Sequence, residues 1–370
     1  MRILIEDVSI LTMSTKHENL ISRGYIYIDS GLIRGVGRGD PPEDLDNPDI
    51  VIGGRGKLAI PGLIVLFSRL AGYPFRIILD RESTKVKEMI NSMSNSDLQL
   101  ISTLSLAAMA MRGITTVLSV DRRVEPVVKA AETTGLRIIA APCLNDASDA
   151  EEWSREIITS ARRWHKRDNS SILITGSICS RTAVKGDEPS IVPSDMPLIV
   201  YGDACHRLRG EKVLNVDPPS ECGVKPDLSI YTEEHMNLWR PGSGYGIAGD
   251  LSWSLSKHFA IAKARGFNPL DILGSATIWS SNKIGLYIGS IEPGRLSDIV
   301  ILDISQPPWW IPIDLLNEEG AADIVVTGIP KIETVIVGNE IVIDGGELLT
   351  VGREIFSRAY SRVAELMGRR

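Results

Sequence analysis

Histidine is scarce in this chain of 370 residues. There are five, at His17, His165, His206, His235 and His258, and no two are separated by a single residue. A His-x-His pair of imidazoles projecting from one strand end is therefore excluded. The four cysteines, Cys143, Cys179, Cys205 and Cys222, contain no C-x-x-C pair, which excludes zinc-ribbon and thioredoxin-type motifs and reads as buried thiols rather than a disulfide framework. No apolar run nears the ~18 residues of a membrane span. Basic clusters are missing too. With a formal net charge of -7 and a pI near 5.4, neither a nucleic-acid face nor a polybasic membrane anchor is expected, and the terminal pair Arg369-Arg370 is too short to change that. The N-terminal stretch Met1–Leu11 carries an acidic residue early and has no signal-peptide pattern, so a cytoplasmic protein is expected. Only two glutamines occur, Gln99 and Gln306, a bias in the direction of thermophiles.

What is present reads as a mixed fold. Hydrophobic residues at 43% and charged residues at 24% are ordinary for a folded globular chain. Residues 1–60 form short strands: Ile3–Ile5, Val8–Leu11, then Tyr25–Ile28 and Leu32–Val36 around the turn Asp29-Ser30-Gly31, and Ile50–Ile52. From residue 61 strands alternate with helices. The run Leu98, Ile101, Leu104, Ala108 and Met111 has helical spacing and stops at Gly113, and a β-branched strand, Ile114–Val120, follows. A helix over Val124–Thr134 closes at Gly135. Ser148 and Glu151 form a capping box before a helix carrying Trp153, Ile157, Ala161 and Trp164. Ile172–Ile174, Leu198–Tyr201, Val213–Val216 and Leu228–Ile230 are buried-type strands, and Asn268-Pro269 starts a helix. After residue 289 strands return, at Ile299–Leu302, Ile324–Val326, Thr334–Val337 and Glu340–Ile343. A final helix, Arg353–Met367, places Ile355, Ala359, Val363 and Met367 on one stripe.

Two long stretches carry a resemblance. Gly56-Lys57-Leu58-Ala59-Ile60-Pro61-Gly62-Leu63-Ile64 leads into the apolar run ending at Phe67, and Gly289–Asp303 reads Gly-Ser-Ile-Glu-Pro-Gly-Arg-Leu-Ser-Asp-Ile-Val-Ile-Leu-Asp. Together with Ala276–Leu286 they resemble the segments that open and close the barrel of the metal-dependent amidohydrolase superfamily, in the branch of cytosine and guanine deaminases and chlorohydrolases. The resemblance implies an α/β protein: a TIM-type (β/α)8 barrel over residues 61–289, a small β-sandwich built from residues 1–60 together with 290–352, and a C-terminal helix over 353–370. Such a barrel occupies roughly 250 residues and carries its chemistry at the carboxyl ends of its strands.

The same resemblance implies a Zn or Fe ion held by imidazoles and a carboxylate, which lowers the pKa of bound water. Each matching position holds something else: Phe67 and Arg69 stand for the His-x-His, Tyr201 for the fifth-strand ligand, Asp217 (or Val216) for the sixth, and Ala248 for the eighth-strand aspartate, with Asp250 two residues late. Cys179 lies where relatives carry a substrate-contacting histidine, and His235 falls near a barrel loop. The expectation is then a degenerate member with no cofactor, a catalytically silent scaffold, binding or regulatory protein, with Phe67 and Arg69 filling the former metal cavity and Arg69 pairing with Asp217 or Asp250 or receiving an anionic ligand. The alternative is an active hydrolase or deaminase working on non-peptide C–N bonds of a cyclic amide or amino-heterocycle through an altered site. A metal site relocated among Asp203, Cys205, His206, Asp217, Cys222 and Asp250, or a Cys–His nucleophile pair, is a further alternative. No nucleic acid or membrane partner is expected. The small-molecule or protein partner is unidentified, and a homodimer follows only by analogy with the family.

Overall fold

The hairpin chemistry of the N-terminal segment dictates how the first strands pair. The computed structural model describes residues 1–43, 45, 47–76, 78, 83–166, 171–183, 188–208, 210, 212–248, 253–312 and 315–368. Strands β1 (Arg2–Leu11), β2 (Leu20–Asp29), β3 (Leu32–Arg38), β4 (Ile50–Gly53) and β5 (Lys57–Pro61) come first. The next five are β6 (Leu63–Ser68), β7 (Ile114–Ser119), β8 (Arg137–Ala140), β9 (Cys143–Leu144) and β10 (Ile172–Ile174). They are followed by β11 (Ser177–Ile178), β12 (Leu198–Tyr201), β13 (Val213–Val216), β14 (Ser229–Tyr231) and β15 (Gly244–Tyr245). The last four are β16 (Ile299–Asp303), β17 (Lys331–Val337), β18 (Glu340–Asp344) and β19 (Glu347–Leu348). The helices are α1 (Ser83–Ser92), α2 (Asn95–Ala110), α3 (Val124–Thr134), α4 (Ala150–Trp164), α5 (Ser256–Ala264), α6 (Pro269–Ser275), α7 (Ile278–Ile284), α8 (Glu318–Gly328) and α9 (Arg353–Leu366).

The chain divides into two compact units, Met1–Ile64 with Ala110–Thr115 and Ser256–Leu349, and Val65–Met109 with Thr116–Leu255 and Thr350–Arg370. In the first, β1 to β5 and β16 to β19 share one nine-stranded sheet, so both ends of the sequence contribute. Ser30 and Gly31 both have positive φ, 53° and 78°, the two-residue turn whose twist matches antiparallel strands β2 and β3. Ile3, Ile5, Val8, Ile10, Ile26 and Ile28 are buried with Ile299, Ile301 and Ile336. Each buries a side chain that stabilises by about 1.5–3 kcal/mol. The stretch Gly289–Asp303 is held to the N-terminal strands by its backbone: Ile291 N donates to Thr12 O, Gly294 N to Ile33 O, and Ser297 N to Gly31 O. Among the described residues this is a single sheet, not the pair of a sandwich.

Ile324–Val326, expected as a strand, lies in α8. Asn317 caps that helix by accepting from Gly320 N at 2.8 Å, and its buried face runs through Ala321, Ala322, Ile324, Val325 and Val326. A cap and a packed face override β-branched propensity. Pro61-Gly62 is less a turn than a close approach. Gly62 is the single residue between β5 and β6, its N–H donates to Asp298 O at 2.8 Å, and a Cβ there would sit 2.1 Å from Thr115 Oγ1.

In the second unit the strands are parallel. The order β6–β7–β8–β10 makes one sheet and β9–β11–β12–β13–β14–β15 another, and β8 continues into β9 and β10 into β11 after two residues. A parallel bridge joins Ser68, at the end of β6, to Ile247, beyond β15. Every residue of β6 and β7 is buried, as strands covered on both faces require. Helices α2, α3 and α4 follow β6, β7 and β9. Gly135 caps α3 in the left-handed conformation at φ 75°, and Asp146, rather than a Ser148–Glu151 box, caps the turn that leads into α4. Among the described residues no α-helix lies between β11 and β15. Pro218, Pro219, Pro226 and Pro241 lie in these links, where their missing N–H groups oppose helix. The alternation of strand and helix thus gives way in this half to loops and short 3-10 turns. Helix α9 docks by Val363, Leu366 and Met367 against Phe75, Val86, Met93, Leu98 and Ile101, and Arg362 makes a two-pronged ion pair with Asp97 at 2.8 and 3.0 Å. No described helix is long and apolar enough to cross a membrane.

Candidate functional site

Parallel register levels the carboxyl ends of the strands. Tyr201 pairs with Val216, Val216 with Ile230, and Ile230 with Gly244, so the residues just beyond them emerge along one rim. Ile247 N donates to Phe67 O at 2.7 Å and Gly246 N to Tyr231 O at 3.0 Å, which carries that rim back to β6.

Phe67 is 2% exposed and stacks on Tyr201, ring centroids 5.5 Å apart at 20°. The Arg69 guanidinium lies 6.0 Å from the Phe67 ring centre. Phe67 is therefore a buried ring with Tyr201 as its stacking partner. Arg69 departs from expectation: among the described residues no ion pair joins it to Asp217. Burial holds the Asp121 carboxyl above its ordinary value, against its hydrogen bonds and, least, the Arg69 charge. That carboxylate accepts from Leu70 N at 2.7 Å, Ala71 N at 3.2 Å and Ser119 Oγ at 2.6 Å. Asp250 lies outside the described residues.

Asp217 is the most constrained group on the rim. Its backbone is left-handed, φ 47°, and its carboxylate is buried. Oδ1 accepts from Thr232 N at 2.9 Å and Oδ2 from Thr232 Oγ1 at 2.7 Å. His235 Nδ1 lies 3.3 Å from Oδ2 without hydrogen-bond alignment, its side chain 43% exposed. Burial holds the Asp217 carboxyl above the ordinary carboxylate value, against the Thr232 bonds and the His235 charge. Burial and then the Asp217 charge push the Tyr201 phenol upward, so it stays a neutral donor. Glu233, also buried, accepts from Ala248 N at 3.1 Å, which gives the half-buried Ala248 a purely backbone role here. Thr232, Glu233 and Asp121 were not singled out in the sequence. The polar run Thr232-Glu233-Glu234-His235 directly after an apolar strand end was the signal for the first two.

The cysteines correct the sequence reading. Cys143 is bonded to Cys179 and Cys205 to Cys222, with Cα separations of 5.9 and 6.2 Å. The pairing follows from topology, since β9 and β11 are parallel neighbours with Cys143 opposite Ser177. In this form neither Cys179 nor Cys205 is a thiol nucleophile, and Cys179 is removed as a partner for His235. His165 is 13% exposed in its side chain, accepts from Ile174 N through Nδ1, and faces Asp195 at 3.2 Å.

An imidazole-held ion does not fit the residues at the matching positions. Phe67 and Ala248 offer no ligand atom, Tyr201 offers a neutral phenol, Arg69 adds a cation, and Asp217 already spends its oxygens on Thr232.

No family model matches the chain. The 5-methylthioadenosine/S-adenosylhomocysteine deaminase of Thermoanaerobacter pseudethanolicus is 25% identical over 425 aligned positions, covering 96% of each chain. The 5'-deoxyadenosine deaminase of Methanothermobacter thermautotrophicus is 22% identical and covers 94% of this chain and 96% of its own. Among solved structures, the zinc complex of atrazine chlorohydrolase TrzN from Arthrobacter aurescens TC1 superposes with a TM-score of 0.78 at 16% identity, covering 99% of this chain and all of that one. The relatives and fold neighbours are thus amidohydrolase-superfamily deaminases and chlorohydrolases, and the chain shares their α/β fold. These findings overturn the expectation of a catalytically silent scaffold: similarity to proteins named as deaminases runs along nearly the whole chain, which favours an active hydrolase or deaminase.

Proposed function

We propose that this protein is a hydrolase or deaminase acting on a non-peptide C–N bond of an amino-heterocycle through an altered site. The observation that carries the reading is the length of its likeness to deaminases, 96% of the chain for one of them. The substrate class proposed is a purine nucleoside bearing an exocyclic amine, as in the names of those relatives. The architecture proposed is a closed (β/α)8 barrel over residues 61–289, thinned of helices in its second half, with a composite β domain from residues 1–60 and 290–352 and a terminal helix over 353–370.

In this reading the rim residues do the work. His235, presenting its second ring nitrogen to solvent, takes a proton from water while Asp217 orients the imidazole from the Nδ1 side, a contact that tightens when substrate binds. The water oxygen adds to the amidine carbon, the exocyclic amine takes the proton that His235 had accepted and leaves as ammonia, and the remaining hydroxyl proton passes to the ring nitrogen, leaving the lactam. Tyr201, kept neutral by its surroundings, donates a hydrogen bond to the heterocycle. Arg69, exposed over Phe67, stabilises developing negative charge. Phe67 and Tyr201 supply an aromatic wall. No step passes through a metal ion.

The test is ammonia release by the purified protein from 5-methylthioadenosine, S-adenosylhomocysteine, 5'-deoxyadenosine, cytosine and guanine, with and without added zinc or iron(II). Turnover of at least one nucleoside that is abolished by His235→Ala is expected. Silence on the whole panel under every condition refutes the reading.

A further inference from the structure

We infer that Cys205, Cys222 and His206 form a redox-gated binding site for a zinc-class divalent ion. The three residues come from two adjacent loops. Cys205 and His206 end the 3-10 turn Gly202–His206 that directly follows β12, and Cys222 ends the turn Ser220–Cys222 that follows β13. Their ligand atoms all lie within 4.8 Å of one another. Ligands about 2.1–2.3 Å from a tetrahedral zinc ion are themselves about 3.5–3.8 Å apart, so one ion satisfies all three after small side-chain rotations.

Burial grades the site. Cys205 and Cys222 are 1% and 5% exposed, while His206 is exposed at the mouth. Two soft sulfur ligands and one borderline nitrogen select zinc-class ions over magnesium or calcium, and three protein ligands leave a fourth position for water. In the oxidised form the sulfurs bond to each other and the site is closed. A thiol-class reductant delivers two electrons and two protons to that bond, giving two thiols and an oxidised disulfide of the reductant. Binding of the ion then displaces both thiol protons to solvent. In either state the two loops are tied together, and at their bases stand Tyr201 and Asp217. The site is separate from the Asp217–His235 pair, and its test reads metal binding, not turnover.

The experiment titrates cobalt(II), then zinc, into the full chain reduced with a phosphine, and reads thiolate-to-cobalt charge transfer and tetrahedral d–d bands. One equivalent of cobalt developing these bands, displaced by one equivalent of zinc, is expected. Cys205→Ser and Cys222→Ser should each abolish the charge-transfer band, and His206→Ala should weaken binding about tenfold or more. Cys143→Ser, which removes a thiol from the other pair, should keep the spectrum. Because a serine variant can fold poorly, the wild-type chain also carries an alkylation arm: zinc should slow modification of Cys205 and Cys222 at least tenfold, read peptide by peptide. Absence of the bands in the reduced protein overturns the proposal, as do bands that survive both serine substitutions or alkylation rates that zinc leaves unchanged.

Discussion

Replacing Asp217 separates its structural from its chemical contribution. Its side chain is 2% exposed and serves two donors of one residue, Thr232 N and Thr232 Oγ1. In Asp217→Asn the amide oxygen still accepts from Thr232 N, and the amide N–H donates to a Thr232 hydroxyl that has turned to accept. Both bonds lose their charge assistance, offset in part because a neutral amide costs less to bury than a carboxylate, for a net loss of about 1 kcal/mol. In Asp217→Ala the buried Thr232 N–H is left without an acceptor, so the desolvation cost of about 1–3 kcal/mol joins the lost hydroxyl bond, for a total of about 3 kcal/mol. The pH dependence fixes the sign. Because burial raises the folded-state pKa of Asp217, the folded chain holds this proton more tightly than the unfolded one. The stability it lends is present below the unfolded value of about 4 and is lost as pH rises through the folded value. Asparagine does not titrate, so the wild type should lose stability relative to Asp217→Asn as pH rises across that window. Urea unfolding of the three proteins between about pH 4 and 8 measures both effects. A wild-type-minus-Asn difference independent of pH, or an Asn variant as unstable as the Ala variant, refutes the reasoning. If Asp217 also orients His235, ammonia release should fall about 10²–10⁴-fold in Asp217→Asn even where it stays folded.

Phe67→Ala removes a buried ring and its stack on Tyr201, and should cost about 3–5 kcal/mol in chemical denaturation; a loss under 1 kcal/mol would mean the ring is not packed as described. Gly62→Ala drives a methyl to within 2.1 Å of Thr115 Oγ1 and should destabilise by roughly 1–3 kcal/mol, with Thr115→Gly in the same chain recovering part of it. Arg362→Ala should lower stability by about 1 kcal/mol, a figure discounted because the guanidinium is 38% exposed. Bonding to Arg362 holds the Asp97 carboxyl below its ordinary value, so this contribution is present above the unfolded value and lost as pH falls; a thermal-shift difference that persists undiminished at about pH 2–3 would contradict the pairing.

Local chemistry made much of the fold legible. The hairpin at Ser30-Gly31, the left-handed cap at Gly135 and the Asn268 cap, which accepts from Leu270 N, each depend on residues within a few positions. Long-range pairing was hidden, since nothing local marks Cys143 as a neighbour of Cys179 until β9 and β11 are side by side. Helix α8 misled for the reverse reason: its β-branched core residues suit a strand, and only the Asn317 cap and its packed face decide for a helix.

At the rim, sequence reading was strongest on what is missing and weakest on what replaces it. The absence of imidazoles at positions 67 and 69 was visible in the residues themselves, but it was read as loss of chemistry. That inference assumed one way of activating water. A buried carboxylate raised by its surroundings, set 3.3 Å from a half-exposed imidazole, is the other way proposed above, and its parts are Asp217 on the loop after β13 and His235 beyond β14. Neither residue signals the other along the sequence, because the parallel pairing of β13 with β14 creates the contact. In the function proposed above, the Phe67–Tyr201 stack serves as the aromatic wall.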